Sequence, residues 1–155
     1  MTIHRFLTTA ALVIVASTAA FAQATNPLVG TWKLNAAKSK GSPYKGGGTK
    51  VEAVGDGVKF TVELVAQDGK EMQWGFTAKY DGQDVKMTGS NPYGDTIALT
   101  RVDARTTRMS IKQAGKPTVS QVITVSEDGK TRTTTTKGVD VKGQPVDALS
   151  FYEKQ

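Results

Sequence analysis

The chain has 155 residues, a formal net charge of +6 at pH 7, no cysteine, and a single histidine, His4. The absence of cysteine excludes disulfide-stapled folds and Cys-His catalysis. Because His4 lies in an N-terminal segment that we predict to be removed, the mature chain also lacks the histidine of Ser-His-Asp catalysis and the usual ligands of zinc, copper and haem sites. The lysines are spread singly rather than in a block, which favours a solvated surface over a nucleic-acid interface. We therefore expect no catalytic residue, no metal, no cofactor and no nucleic-acid partner.

The N-terminal segment has the pattern of a cleaved signal peptide. A positive start is followed by the uncharged stretch 6–21, which ends in Ala20-Phe21-Ala22, with small residues where a signal peptidase reads. Residues 1–22 are predicted to be removed, and cleavage after Ala24 is the alternative. A membrane anchor is the competing interpretation, but the strongly apolar part is much shorter than the about 20 residues of a spanning helix. We expect an exported protein, periplasmic or secreted.

The next feature is a regular series of turn signals over one predicted domain, 26–155. Their spacing of roughly ten residues is typical of short strands in an all-β sandwich or barrel. Asp-Gly pairs are favoured in hairpins because a type I′ turn needs positive φ at both central residues. These pairs lie at 56–57, 68–69, 81–82 and 128–129, and further turn signals lie at 91–94, 103–105 and 114–116.

Between the turns, apolar and polar residues alternate as they do in strands, and no window after residue 25 has a convincing helical period. Strands are predicted near 28–34, 49–55, 58–66, 70–80, 83–88, 95–102, 105–113, 117–127, 130–137 and 146–153. Sequential hairpins with one apolar face indicate an antiparallel up-and-down meander. The predicted fold is all-β, a meander closed into a barrel of about 8–10 strands, and a two-sheet sandwich is the alternative.

Two segments interrupt this rhythm. Residues 35–48, rich in Lys, Gly and Ser, are predicted to form a long loop after the first strand. In a meander barrel that loop lies near one end, where it acts either as a flap or as a flexible connector, and its three consecutive glycines favour the connector. The shorter segment 137–145 is predicted to be a loop before the last strand.

The first predicted strand carries a family resemblance. Asn26-Pro27-Leu28-Val29-Gly30-Thr31-Trp32-Lys33-Leu34 resembles the opening strand of lipocalins and fatty-acid-binding proteins, the calycin group, which begins with Gly-x-Trp. The final Phe151-Tyr152-Glu153-Lys154 is similar to the closing strand of fatty-acid-binding proteins, and the whole domain resembles small exported bacterial lipocalin-like proteins. In such a barrel Gly30 permits close approach of another segment, and Trp32 plugs one end. Both are structural roles.

The chain departs from fatty-acid-binding proteins at two places. Those proteins carry a pair of short helices after strand one, where this chain has only the glycine-rich loop. Their closing strand presents Arg-x-Tyr to a carboxylate, whereas the matching positions here read Ser150-Phe151-Tyr152. Because the arginine is missing, the resemblance does not carry the fatty-acid clamp to this chain.

The interior of such a barrel is either packed with side chains or encloses one small ligand. Gln121 and Arg101 lie in phase with apolar rows, and a buried polar group needs a partner that a ligand can supply, although Arg101 also suits a solvent-exposed strand end. The threonine-rich segment 131–136 is predicted to be a half-exposed strand. The candidate ligand-binding residues are Phe60, Met72, Trp74, Phe76, Tyr80, Arg101, Gln121 and Tyr152.

The expected function follows from the resemblance and the apolar inward rows. It is an exported, non-catalytic lipocalin-like module that binds a small apolar or amphipathic molecule inside the barrel, as a monomer without a membrane span. The alternative is a structural or envelope-interaction protein with a packed core and no ligand. An activity based on Tyr, Lys or carboxylates is a third interpretation, for which no pair at catalytic spacing is visible.

Overall fold

The computed structural model describes residues 25–155, so the predicted signal peptide at 1–22 lies outside the described residues. The described chain forms one antiparallel sheet that curls into a nearly closed barrel, which confirms the predicted all-β meander. Its strands are β1 (Gly30–Leu34), β2 (Tyr44–Val54), β3 (Gly57–Ala66), β4 (Glu71–Lys79), β5 (Val85–Lys86), β6 (Thr88–Gly89), β7 (Thr96–Arg101), β8 (Thr106–Gln113), β9 (Lys116–Val125), β10 (Thr131–Val139) and β11 (Pro145–Lys154). The described helical structure is one short 3-10 turn, Ala36–Lys38, and no described helix has the length and hydropathy to span a bilayer.

The gap in the barrel between β4 and β7 is bridged by a thin connecting segment rather than by a full strand. In this segment β5 pairs with β7, β6 pairs with β4, and an isolated bridge joins Asp81 to Thr100. The predicted single strand 83–88 is thus divided into two short pieces that face opposite neighbours. The half-buried Met87 lies between these pieces and packs against the core. This is the weakest hydrogen-bonded part of the barrel wall.

The alternating direction of the strands defines two ends of the barrel. The closed end carries the chain before β1, the β2–β3 turn and the C-terminus. The mouth carries the loops and turns at 35–43, 67–70, 90–95, 114–115 and 140–144. The inward rows between the two ends alternate as predicted, and Phe60 and Phe76 stack across β3 and β4 with ring centres 4.8 Å apart.

The Asp-Gly turns have a different geometry from the predicted one. The only positive-φ residue among the described non-glycines is Ala114, so Ala114-Gly115, between β8 and β9, is the turn with positive φ at both positions. In three Asp-Gly pairs the aspartate instead accepts the backbone N–H two residues later, and only the glycine has positive φ. Asp therefore stabilises these turns through its side chain, and the prediction of type I′ turns at these pairs was wrong.

The three glycines predicted to lie in a flexible loop belong to β2 instead. They pair with β1 and β3, and the register between β2 and β3 shifts at Tyr44/Gly46. A Cβ on Gly48 would lie 2.4 Å from the carbonyl oxygen of Trp32, and a Cβ on Gly47 would lie 2.2 Å from that of Glu63. Gly47 and Gly48 are therefore required by the close packing of neighbouring strands, whereas Gly46 is not. A count of glycines does not reveal this difference.

The glycine run offers a matched pair of substitutions. Gly47 has a φ of +95°, so Gly47→Ala is expected to lower the free energy of unfolding by about 1–3 kcal/mol or more. A Cβ on Gly46 meets nothing within 4 Å, so Gly46→Ala is expected to change stability by less than about 0.5 kcal/mol. Urea denaturation of both variants measures the difference. Equal stabilities would show that β2 shifts freely at this point.

Candidate functional site

The barrel encloses a cavity of about 60 Å³ with two chemically different walls. The polar wall follows β10 and β11, because alternate residues of these strands point inward. Its residues, with neighbours from β2 and β9, are Thr49, Gln121, Arg132, Thr134, Thr136, Ser150 and Tyr152. The apolar wall opposite comes mainly from β3, β4, β7 and β8, and includes Phe60, Val62, Leu64, Trp74, Phe76, Ile97, Met109 and Ile111. The cavity is therefore amphipathic.

Arg132 lies toward the closed end of the polar wall, and only 3% of the residue is exposed. Its guanidinium carbon lies 4.4 Å from the ring centre of Tyr152 and 5.2 Å from that of Trp32. Among the partners that residues 25–155 offer, none bonds to Nε or Nη1, and none of their ion pairs includes this side chain. Burial lowers the pKa of Arg132 to about 10, so the side chain remains a cation at neutral pH.

Arg132 also stands beside the tyrosine of the closing strand. The register of β10 and β11 makes Arg132 and Tyr152 direct cross-strand partners. The closing strand itself has Ser150 two residues before this tyrosine. An arginine and a tyrosine are thus brought together on the cavity wall although the Arg-x-Tyr motif is absent, because the arginine comes from the neighbouring strand.

The other polar groups of the cavity are partly satisfied. Gln121 Nε2 donates to Thr136 Oγ1 at 3.1 Å, and Ser150 Oγ donates to Ser42 Oγ at 3.1 Å. The Tyr44 hydroxyl is buried and has no hydrogen-bond partner among the described residues. Burial, with smaller contributions from neighbouring tyrosines, raises the pKa of Tyr44 far above its ordinary value. Among the described residues, the unpartnered donors of the site are therefore Arg132 Nε and Nη1, while the neighbour of the Tyr44 hydroxyl is another tyrosine, Tyr93.

Three buried tyrosines are expected to make the protein sensitive to alkali. Burial raises the pKa of Tyr44, Tyr93 and Tyr152 in the folded protein. A raised pKa contributes stability that is complete below pH 10, about the value for unfolded tyrosine, and that is lost as the pH rises further. The lowered pKa of Arg132 makes the free energy of unfolding rise with pH in the same range. It is a single group, so we expect the three tyrosines to dominate.

We expect the free energy of unfolding to fall above about pH 10 and tyrosinate absorbance to rise together with the loss of circular dichroism. Tyr44→Phe removes one of the three groups, and it should move this transition to higher pH. Ionisation of all tyrosines before unfolding would contradict the expectation.

The structure brings together some of the predicted ligand-binding residues and separates others. Five of them line the cavity, namely Phe60, Trp74, Phe76, Gln121 and Tyr152. Met72 lies nearer the mouth, in a second pocket. Arg101 and Tyr80 lie outside both pockets. Arg101 is the last residue of β7 and Tyr80 follows the last residue of β4, and both strands end at the closed end of the barrel.

At the closed end Arg101 is exposed and stacks on Tyr80, with 4.1 Å between its guanidinium carbon and the ring centre. The Tyr80 hydroxyl accepts a hydrogen bond of 2.8 Å from Asn26 Nδ2. Tyr80 therefore holds the segment before β1 against the barrel wall, and neither Tyr80 nor Arg101 lines the cavity.

The Gly-x-Trp strand occupies the same end. Trp32 is fully buried, and its Nε1 donates to the carbonyl oxygen of Leu28 at 2.9 Å. Lys154 Nζ lies 5.0 Å from the Trp32 ring centre, and a Cβ on Gly30 would lie 2.5 Å from Lys154 Cε. Gly30 thus leaves room for the lysine, and both Lys154 and Arg132 lie against the Trp32 ring.

Arg132, Thr134 and Thr136 are the main residues that the sequence analysis missed. The segment 131–136 was interpreted as a uniform threonine-rich strand, but its even-numbered residues are buried and its odd-numbered residues are half-buried. The alternation in this strand could have predicted the polar wall, since Arg132 shares a face with the two threonines. Tyr93 lies outside the strands, and no pattern indicated its burial.

Comparison with known proteins adds no further assignment. No protein-family model and no curated protein matches this chain. The fold is compatible with a calycin-like barrel. Among residues 25–155, no three His, Asp or Glu side chains are grouped as metal ligands. The interpretation of the site therefore depends on its own geometry.

Proposed function

We propose that this protein is an exported, non-catalytic lipocalin-like module whose barrel binds a small amphipathic molecule with a carboxylate group. The observation that carries the proposal is Arg132, a buried cation on the cavity wall with two nitrogen donors that have no partner among residues 25–155. The apolar wall opposite suits the hydrocarbon part of the same molecule. Gly-x-Trp at the closed end and the nearly closed meander support the lipocalin-like assignment.

The energetics of Arg132 favour an anionic partner. Cation–π contacts contribute about 2 kcal/mol when desolvated, whereas the effective penalty of burying an ion is several kcal/mol. The contacts with Trp32 and Tyr152 therefore offset only part of the penalty. A carboxylate offsets the rest, because its two oxygens match the planar fork of a guanidinium and accept charge-assisted hydrogen bonds.

The size of the cavity limits the ligand. An ordered water needs about 10–15 Å³ of such space, so the cavity of about 60 Å³ accommodates a few waters or a carboxylate with a short chain. Pockets for drug-sized ligands measure about 300–1,000 Å³. We therefore assign a short monocarboxylate to this cavity.

Calorimetry with three molecules of equal chain length tests the proposal. Butanoate is expected to bind protein that has been unfolded and refolded to remove bound anions. Butan-1-ol and butylammonium are matched neutral and cationic controls, and each should bind at least about tenfold more weakly, or 1.4 kcal/mol. Native mass spectrometry of the protein as purified identifies any retained acid. Equal binding of butanoate and butan-1-ol would remove the basis for the carboxylate.

The small cavity also supports a second candidate function. A barrel with so little internal space suits a structural or envelope-interaction protein that acts through its loops and surface. This function predicts that no small acid binds, that Trp74 fluorescence is unchanged by any of the three molecules, and that the protein is purified without a bound acid.

A further inference from the structure

A second pocket, which we call the mouth pocket, lies at the mouth of the barrel and is not lined by Arg132. It is formed where the chain segments 41–44, 92–93 and 140–147 meet, together with Ala66 and Met72. Its volume is about 310 Å³, at the lower end of the range for small-ligand pockets. The pocket therefore has room for one compact organic molecule.

The charge of the mouth pocket is opposite in sign to the net charge of the chain, which is +6. The charged residues that line it are Asp140 and Asp147, and no Lys or Arg of residues 25–155 does so. Asp147 shares its charge with Lys137, 3.4 Å away, in an ion pair with exposed side chains. Asp140 takes part in none of the ion pairs of the described residues. The pocket therefore disfavours an anion and favours a cation.

Asp140 is held in place beside an aromatic ring. Its Oδ1 accepts two backbone N–H groups of its own turn, each at 2.8 Å. The next residue, Val141, donates its N–H to the carbonyl oxygen of Pro92 at 3.2 Å, which joins this turn to the loop that carries Tyr93. Burial raises the pKa of Tyr93, and the charge of Asp140 contributes to the shift, so the carboxylate lies within electrostatic reach of the ring. The counter-ion and the ring are thus positioned before a ligand binds.

The rest of the lining decides which kind of cation fits. It is apolar, and it consists mainly of Met72, Val146, Pro43, Pro92 and Pro145. A primary ammonium has three N–H donors that each need an acceptor, and its strong hydration is not replaced by such a lining. A quaternary ammonium has no N–H donor, and it is attracted to aromatic faces and carboxylates without directed hydrogen bonds. The lining therefore suits a quaternary ammonium better than a primary one such as butylammonium.

We propose that the mouth pocket binds a small quaternary ammonium compound, with Asp140 as its counter-ion and the rings of Tyr44 and Tyr93 against its methyl groups. Both tyrosines line the pocket. The inference goes beyond the proposed function and does not depend on it, because Arg132 takes no part in this site. Either proposal can fail while the other holds.

Calorimetry with choline and dimethylbutanol tests the inference. Dimethylbutanol has a carbon atom in place of the nitrogen of choline, so the two molecules have the same shape and differ in charge. Choline is expected to bind the mature protein at least about tenfold more tightly than dimethylbutanol, a difference of about 1.4 kcal/mol. Absence of choline binding, or equal binding of the two molecules, would overturn the proposal.

Two aspartate variants test the position of the site. Asp140→Asn keeps the acceptor oxygen of the turn and removes the charge, so it should weaken choline binding at least about fivefold and leave dimethylbutanol binding unchanged. Asp128→Asn is the matched control. Asp128 also accepts a backbone N–H in a turn, but this turn lies at the closed end and outside the pocket. If the two variants weakened choline binding equally, only the net charge would matter and the assignment to the mouth pocket would fail.

Two tyrosine variants test the aromatic contact. Tyr93→Leu removes the ring and should weaken choline binding about fivefold, whereas Tyr93→Phe keeps the ring and should leave it within about twofold. An unchanged affinity for choline in Tyr93→Leu would contradict the proposed place of the ligand.

Discussion

Arg132→Met is expected to stabilise the anion-free protein by about 1–4 kcal/mol and to abolish carboxylate binding. Methionine has a similar length and fills the space between Trp32 and Tyr152, but it carries no charge that must be desolvated. The arginine loses no hydrogen bond from Nε or Nη1, because neither atom has a partner among the described residues. Urea denaturation and calorimetry with butanoate measure the two effects.

Arg132→Lys separates charge from geometry. It keeps the cation but loses the planar fork, so it should give no stabilisation and should weaken butanoate binding by about tenfold or more. A loss of stability in Arg132→Met would be equally informative. If Arg132→Met lowered stability by more than about 1 kcal/mol, the arginine would be a brace for the two aromatic rings, and the proposed carboxylate site would lose its main support.

Alternation and turn residues were sufficient to predict the barrel. Val58, Phe60, Val62 and Leu64 lie buried on one face of β3 as their spacing indicates, and strands matching nine of the predicted ranges are present. Each of these features is local, since a period of two and a turn residue can be recognised within a few positions. The division of 83–88 was not predictable in this way, because it depends on two neighbours that are distant in sequence.

The candidate site shows the same limit. Arg132 is placed beside Tyr152 by the register of two strands. That no Asp or Glu of residues 25–155 lines the cavity with it depends on the whole inner surface. Arg101 had the same in-phase pattern in sequence, yet it lies at a strand end and is exposed. Phase alone therefore identifies a face, but the position of a residue along the barrel axis decides whether that face is cavity or solvent.

Trp32→Ala is expected to lower the free energy of unfolding by about 3–5 kcal/mol, because it removes the largest fully buried side chain of the described residues. The substitution also leaves the Leu28 carbonyl without its Trp32 donor and removes the ring that both Arg132 and Lys154 contact. Urea denaturation followed by circular dichroism measures the loss independently of tryptophan fluorescence.

Two variants separate the contributions at this position. Trp32→Phe keeps most of the apolar area and loses the hydrogen bond, so a loss of about 1–2 kcal/mol is expected. Trp74→Ala is the matched control, since Trp74 is only half-buried and faces the cavity and its removal should cost less than that of Trp32. If Trp32→Ala lowered the free energy of unfolding no more than Trp74→Ala does, the closed end would not be the most stable part of the barrel. Arg132 would then lie in a flexible end, where water can reach its charge and remove the need for an anionic ligand.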